Sequence, residues 1–187
     1  MARRELVLIG GGVRSGKSAF ALRRAARFGD DLVFIATAEA LDDEMRERAR
    51  RHRAERGARF TTVECPRELE GCLRDLDRRG SAQGVVIDCL TLWISNLMVD
   101  GASSAEIDAR VHQLAEILAD VRFPSVIVSN EVGLGIVPDN AMARAFRDIT
   151  GRAHQTLGHA ASELYFGMLG QLVRLKPAPL ELVAPGC

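Results

Sequence analysis

The sequence has few aromatic residues and no excess of charge of either sign. Phe, Trp and Tyr make up 5% of its 187 residues, with a single Trp and a single Tyr. Lys plus Arg and Asp plus Glu both number 25, so the formal net charge is zero. A neutral chain has no overall field that attracts nucleic acid or an anionic membrane. We therefore expect neither partner, and any anion site must be local.

The sequence also lacks cysteine pairs and long apolar runs. None of its four cysteines has the C-x-x-C spacing of a metal or redox site, so we expect free thiols in a reducing compartment. The longest apolar run, from Val85 to Val99, contains Asp88 and Asn96, so no segment resembles a membrane span. The first residues run directly into a strand-like segment and resemble no secretory signal. These features predict a cytoplasmic protein.

Short apolar runs alternate with amphipathic segments along most of the chain. The runs are Glu5–Gly10, Leu32–Thr37, Gly84–Cys89 and Ser125–Asn130. Runs that are apolar throughout are typical of strands covered on both faces in a parallel sheet. Their alternation with helices predicts one α/β domain over residues 1–187, with a doubly wound, mostly parallel sheet.

Two long segments have helical periodicity, and the C-terminal part differs from both. Ser103–Val121 starts with a Ser-x-x-Glu capping box, and Pro138–Ala161 starts with a proline suited to a first turn. Glu163–Leu169 and Gln171–Lys176, separated by a glycine, indicate an antiparallel hairpin at the sheet edge. Residues Pro177–Cys187 contain three prolines and are predicted to be a loose tail.

A phosphate-binding motif follows the first predicted strand. Gly11-Gly12-Val13-Arg14-Ser15-Gly16-Lys17-Ser18 matches G-x-x-x-x-G-K-[ST], and strong helix formers follow it. Backbone N–H groups of such a loop point at phosphate oxygens, and the helix N-terminus adds partial positive charge. We predict a P-loop NTPase-like fold in which all eight residues bind ATP or GTP. Lys17 would bridge the β- and γ-phosphates, and Ser18 would bind Mg²⁺.

A carboxylate closes the apolar run Gly84–Cys89. Magnesium at a P-loop is also held by a carboxylate at the end of a neighbouring strand, and Asp88 has that position. A charge there is costly without a partner. Asp88 is therefore predicted to bind Mg²⁺ with Ser18. The alternative is that Asp88 caps a helix that begins at Leu90.

An arginine-rich segment, Leu41–Gly57, surrounds a histidine. It has an acidic start and a basic end, which suit the dipole of a helix. A solvated helix with salt bridges on its surface explains this composition. A neutral histidine such as His52 can instead attack phosphorus while arginines stabilise the charge that develops. Composition alone leaves both interpretations open.

Five blocks together resemble the bifunctional adenosylcobinamide kinase/adenosylcobinamide-phosphate guanylyltransferase family of cobalamin biosynthesis. They are GGVRSGKS at 11–18, IATAEALDDEMRERARRHR at 35–53, DCLTLWISNL at 88–97, VSNEVGLGIVPDNAMARAFRDITGRAHQTL at 128–157 and LGQLVRLK at 169–176. The likeness covers about residues 5 to 176. The run NEVGLGIVP is more particular to this family than the P-loop is.

The resemblance implies two reactions, a trimeric assembly and a set of site residues. The γ-phosphate of ATP or GTP is transferred to a hydroxyl of adenosylcobinamide. A histidine then takes GMP from GTP and passes it to the corrinoid phosphate, which gives adenosylcobinamide-GDP. Members form homotrimers, so self-association is expected. The resemblance implies that His52 is guanylylated; with Lys17 of the P-loop it makes up the predicted catalytic pair. It also implies that nucleotide contacts the following residues: Ala36, Thr37, Ala38, Arg53, Ala54, Glu55, Arg56, Glu64 and Asp88.

Some residues depart from the family pattern or keep two interpretations. Gly57 replaces the usual proline after the His52 segment, and Asp88 stands where some members have glutamate. We hypothesise that Glu64 pairs with the guanine N1–H and 2-amino groups. Four residues of the run after Val128 form a corrinoid site, a subunit contact or only a turn: Asn130, Glu131, Gly133 and Gly135. Two other functions remain, a small-molecule kinase with a structural His52 and a nucleotide-dependent switch.

Overall fold

The computed structural model describes residues 5–39 and 57–183. They form a mixed eight-stranded sheet with helices on both faces. Its strands are β1 Leu6–Gly11, β2 Leu32–Ala36, β3 Phe60–Glu64, β4 Gly84–Asp88, β5 Ser125–Val128, β6 Glu163–Met168, β7 Gln171–Lys176 and β8 Glu181–Val183. The helices are α1 Lys17–Ala25, α2 Leu69–Arg79, α3 Leu90–Val99, α4 Ser104–Asp120 and α5 Ala141–Ala160.

The strand order is β3-β2-β4-β5-β1-β6-β7-β8, and the first six of these strands are parallel. Alternate residues of β1 point to opposite faces: Leu6 and Leu8 pack towards α2, α3, α4 and α5, whereas Val7 and Ile9 pack towards α1. Both faces are therefore buried, which is why the strands are apolar throughout. The predicted doubly wound, mostly parallel α/β fold is confirmed.

The ends of two helices are set by side-chain caps. The capping box before α4 is confirmed, because the Ser103 hydroxyl accepts a hydrogen bond from Glu106 N and the Glu106 carboxylate accepts one from Ser103 N. The predicted start of α5 at Pro138 is wrong. The helix begins at Ala141, since the Asn140 carboxamide oxygen accepts from Ala143 N at 2.7 Å and forms the cap.

The C-terminal strands confirm the hairpin and correct the predicted tail. β6 pairs parallel with β1, and β7 pairs antiparallel with β6. β8 then pairs antiparallel with β7, so residues 181–183 belong to the sheet and the hairpin is not its outer edge. β3 and α2 were not predicted from the sequence. β3 lies at the other edge of the sheet, and its half-exposed sequence FTTVE lacks the continuous apolar run by which β1, β2, β4 and β5 were recognised.

Two further predictions concern this level of structure. None of the helices in the described part of the chain has the length and apolarity to cross a bilayer. The predicted helix Leu41–Gly57 with His52 lies, apart from its last residue, outside the described residues.

Candidate nucleotide site

The P-loop joins β1 to α1. Gly16, directly before α1, has a left-handed φ of 86° and supplies no side-chain cap, so the first N–H groups of the helix face the loop. The Lys17 ammonium is buried and donates to Gly12 O at 2.9 Å, while Ser18 is exposed on the first turn. An anion at this position meets backbone donors, the helix dipole and a cation together.

Strand β6 braces the loop from one side. Gly11 pairs with Gly167 of β6, and Gly12 N donates to Gly167 O at 3.3 Å. A Cβ atom on Gly11 would lie 2.4 Å from Gly167 O, so only glycine fits there. The Ser15 hydroxyl is buried against Gly167 and has no hydrogen-bond partner among the described residues. The loop is thus shaped by a strand more than 150 residues away.

The carboxyl ends of the parallel strands bring the other predicted residues to the same edge. Glu64 pairs with Ala36, which pairs with Asp88 on its other side, and Asp88 pairs with Val128. Because neighbouring strands lie about 4.8 Å apart, the Cα atoms of Glu64 and Asp88 are separated by roughly 10 Å. β1, which leads into the P-loop, lies a similar two strand spacings beyond Asp88.

The charges of Lys17 and Asp88 interact in this site. Burial lowers the pKa of Lys17 from its usual value, and the negative charge of Asp88 opposes that shift. Asp88 is half-buried at the end of β4. An ammonium and a carboxylate that share one partly buried region suit a triphosphate and its metal, because each stabilises an opposite charge of the bound ligand.

Thr37 holds the ends of β2 and β4 together. Its fully buried hydroxyl donates to Cys89 O at 2.7 Å and accepts from Cys89 N at 2.7 Å. Asn96 of α3 donates to Thr37 O at 2.8 Å. The predicted nucleotide segment Ala36-Thr37-Ala38 therefore lies at the carboxyl end of β2, at the same sheet edge as the P-loop, and the Thr37 side chain positions the residue after Asp88.

Polar residues after β5 complete the edge next to the loop. Glu131 N donates to Gly11 O at 2.9 Å, and the Asn130 carboxamide donates to the Thr91 hydroxyl at 3.0 Å. The Ser129 hydroxyl lies 2.7 Å from His154 Nε2, and burial lowers the pKa of His154, with Glu131 opposing the shift. This packing gives His154 a structural role at the end of β5.

The site can accept a magnesium ion if the nucleotide supplies part of its ligands. Within residues 5–39 and 57–183, no three His, Cys, Asp or Glu side chains form a metal-binding group. Ser18 is exposed and directly follows Lys17, and the charge of Asp88 acts on Lys17. Mg²⁺ at phosphates keeps several waters and needs few protein ligands. The donors present therefore fit Mg²⁺ bound with a nucleotide.

Two contributors to the site were not predicted from the sequence, and five predicted residues lie outside the described part of the chain. The bracing residue Gly167 was missed, although glycine inside a strand is a signal of close backbone approach. The contribution of Thr37 to the β2–β4 connection was also missed, since it depends on long-range pairing. The predicted residues His52, Arg53, Ala54, Glu55 and Arg56 lie outside the described part of the chain.

The fold and the loop define a P-loop nucleotide-binding protein of the α/β class. Solved structures agree: the chain is similar to a solved ATPase domain, with a TM-score of 0.61 and 15% identity, over 97% of this chain and 80% of that one. It is also similar to the RadB recombinase, with a TM-score of 0.55 and 17% identity, over 97% of this chain and 87% of that one. At these identities the likeness concerns the fold alone.

Sequence comparison is more specific. Residues 7–175 match the family described as cobinamide kinase / cobinamide phosphate guanyltransferase. The chain is 38% identical to the bifunctional adenosylcobalamin biosynthesis protein CobP of Pseudomonas aeruginosa, over 95% of this chain and 99% of that protein. It is 38% identical to the corresponding CobU protein of Salmonella typhimurium, over 91% and 99%. The chain belongs to the cobinamide kinase / cobinamide phosphate guanyltransferase family.

Proposed function

We propose that this chain phosphorylates adenosylcobinamide and then transfers GMP to the phosphate it has made. The observation that carries the proposal is the P-loop braced against β6, with the Lys17 ammonium beside Asp88, in a chain of this family. That site suits the triphosphate of a nucleotide, and family membership supplies the acceptor.

In the kinase reaction, an acceptor hydroxyl oxygen bonds to the γ-phosphorus and releases its proton to solvent, while the bond to the bridging oxygen breaks and the nucleoside diphosphate leaves. Lys17 stabilises the charge that moves onto the β–γ bridging oxygen, and the N–H groups of the loop hold the phosphates in line. The Lys17 ammonium, which donates to Gly12 O in the structure, would then donate to phosphate oxygens. Mg²⁺, bound at Ser18 and Asp88, would neutralise phosphate charge.

In the second reaction, a ring nitrogen of His52 bonds to the α-phosphorus of GTP and pyrophosphate leaves. A phosphate oxygen of the corrinoid then displaces the histidine and accepts the GMP. Arg53 and Arg56 would neutralise phosphate charge in both displacements. Support comes from the likeness of the sequence around His52 to the family pattern, and from its chain position after β2, which ends beside Asp88.

Guanine selection is proposed for Glu64. This exposed residue ends β3, about two strand spacings from Asp88, and a carboxylate accepts from both the N1–H and the 2-amino group of guanine. Adenine lacks that pair of donors. Glu64→Gln should therefore weaken GTP binding but not ATP binding, and an unchanged preference for GTP would refute this role. Homotrimer formation and a cytoplasmic location are further expectations from the resemblance.

The decisive experiment uses GTP labelled at the α-phosphate. We expect wild-type protein to acquire acid-labile, alkali-stable label, His52→Ala to acquire none, and the exposed-histidine control His159→Ala to label normally. Lys17→Met should lose both labelling and phosphorylation of adenosylcobinamide. Phosphorylation without labelling would leave only a small-molecule kinase, and absence of both in the wild type would favour a nucleotide-dependent switch.

A further inference from the structure

Exposed apolar side chains are concentrated in segments that adjoin the P-loop. Eleven large apolar residues are exposed in the described part of the chain. Six of them lie at or after the carboxyl ends of β1, β5 and β6, and a seventh lies in the first turn of α5, which follows β5. We name these residues the apolar rim: Val13, Leu134, Ile136, Val137, Met142, Met168 and Leu169. Exposed apolar residues usually occur singly, whereas concentration at one edge is typical of a binding surface.

The longest part of the rim is tied to α5 by hydrogen bonds. Arg147 of α5 donates to Gly133 O at 2.7 Å and also to the backbone oxygens of Gly135 and Ile136. Arg144 donates to Pro138 O and Asp139 O at 3.0 and 2.6 Å. Leu134 and Ile136 nevertheless remain 81% and 96% exposed. A backbone restrained by these bonds that presents uncovered apolar side chains suits a ligand, because restraint reduces the freedom lost on binding.

The rim is continuous with the phosphate site. In the segment after β5, the N–H of Glu131 bonds to Gly11 O three residues before Leu134. The β6–β7 turn carries Leu169 two residues after Gly167, which braces the loop. Val13 is part of the loop itself. A large molecule that places a hydroxyl at the γ-phosphate therefore has apolar side chains within reach on neighbouring segments.

We propose that the apolar rim binds the macrocycle of the corrinoid acceptor, chiefly through Ile136 on one side of the P-loop and Leu169 on the other. This inference rests on the proposed function for the identity of the ligand. The ring edge and methyl groups of a corrinoid offer a broad apolar surface, and the reacting hydroxyl lies on a side arm. Contact with the rim would let that arm reach the phosphates while the ring stays outside the loop.

The test compares rim variants with matched variants elsewhere. Ile136→Ser and Leu169→Ser remove apolar contact from the rim, while Val99→Ser and Leu180→Ser change exposed apolar residues outside it. For each protein we would measure equilibrium binding of cobinamide by its visible absorbance, in the presence of a non-hydrolysable GTP analogue. Binding of the analogue and the molecular mass in solution are measured in parallel.

We expect each rim variant to bind cobinamide about tenfold more weakly, since a large apolar contact is lost. The GTP analogue should bind within about twofold of wild type in all variants, because the serine changes add no charge near the P-loop. Cobinamide binding that is unchanged in the rim variants, equally weakened in the controls, or absent in the wild type would overturn the inference. Weakening that follows a fall in molecular mass would overturn it too, and would show instead that the rim contacts a second copy.

The binding assay requires no turnover. A chain that binds cobinamide through the rim but neither phosphorylates it nor acquires the GMP label would refute the proposed function and leave the rim assignment standing. If the chain carries out both reactions and the rim substitutions leave cobinamide binding unchanged, the proposed function stands and the rim assignment is refuted.

Discussion

Replacement of Gly11 by alanine tests whether β6 shapes the P-loop. Gly11 has φ 148°, a conformation that L side chains rarely adopt, and its added Cβ would lie 2.4 Å from Gly167 O and 2.9 Å from Gly167 N. Contacts of Cβ below 3.0 Å essentially never occur, so β1 and β6 must separate by at least 0.6 Å, the difference between 3.0 and 2.4. All the opposing atoms are backbone, so no side chain can rotate away.

The cost has three parts. Overpacking of this kind typically costs about 1–3 kcal/mol. The bond from Gly12 N to Gly167 O, already long at 3.3 Å, would be lost, at roughly 1 kcal/mol. Backbone strain in a region that favours glycine adds about 1–3 kcal/mol. We therefore expect Gly11→Ala to lower the free energy of unfolding by about 3–7 kcal/mol, a large share of the total for a single domain.

The measurement is urea denaturation of the nucleotide-free protein, so that lost ligand binding does not enter. The control is Gly12→Ala, because a Cβ there meets no atom within 4 Å and Gly12 has no positive φ of the restricted kind. We expect this control to stay within about 0.5 kcal/mol of wild type, as surface substitutions usually do. A loss below about 1 kcal/mol for Gly11→Ala would refute the bracing of the loop by β6.

Three further predictions concern positions outside the loop. Thr37→Val should lower the free energy of unfolding by about 1–3 kcal/mol and slow both reactions, because valine leaves the Cys89 backbone groups unpaired. Thr37→Ser keeps a hydroxyl and should retain most of the stability and of both activities. Equal behaviour of the two variants in denaturation and in the activity assays would contradict this. Ser103→Ala removes the capping box and should lower the free energy of unfolding by about 1 kcal/mol, which corresponds to roughly 2–4 °C in Tm, with nucleotide affinity unchanged. An unchanged Tm would show that the cap does not stabilise the helix. His154 has a pKa lowered by burial from 6.5, so the unfolded chain binds its proton more readily and stability should fall as pH drops below about 6.5. His154→Gln should lose less unfolding free energy than wild type between pH 7.5 and 5.5, and equal losses in the two denaturation series would show that other groups cause the acid sensitivity.

Local sequence pattern was enough to predict the features that depend on short-range order. The P-loop, the four buried strands and the capping box of α4 each follow from it, because backbone conformation and burial periodicity are set by neighbouring residues. The parallel α/β class followed in turn from the alternation of these elements. The same reasoning placed Asp88 at the carboxyl end of its strand, where it lies.

Features that depend on residues distant in the chain emerged only from the folded arrangement. Strand order put Glu64, Ala36 and Asp88 in one row, brought Gly167 against Gly11, and turned the Thr37 hydroxyl towards Cys89. Pairing also drew residues 181–183 of the predicted tail into the sheet. Such contacts arise from which strands become neighbours, and that is set by the packing of helices on both faces, whose energy is summed over the whole core and not stored in any one segment.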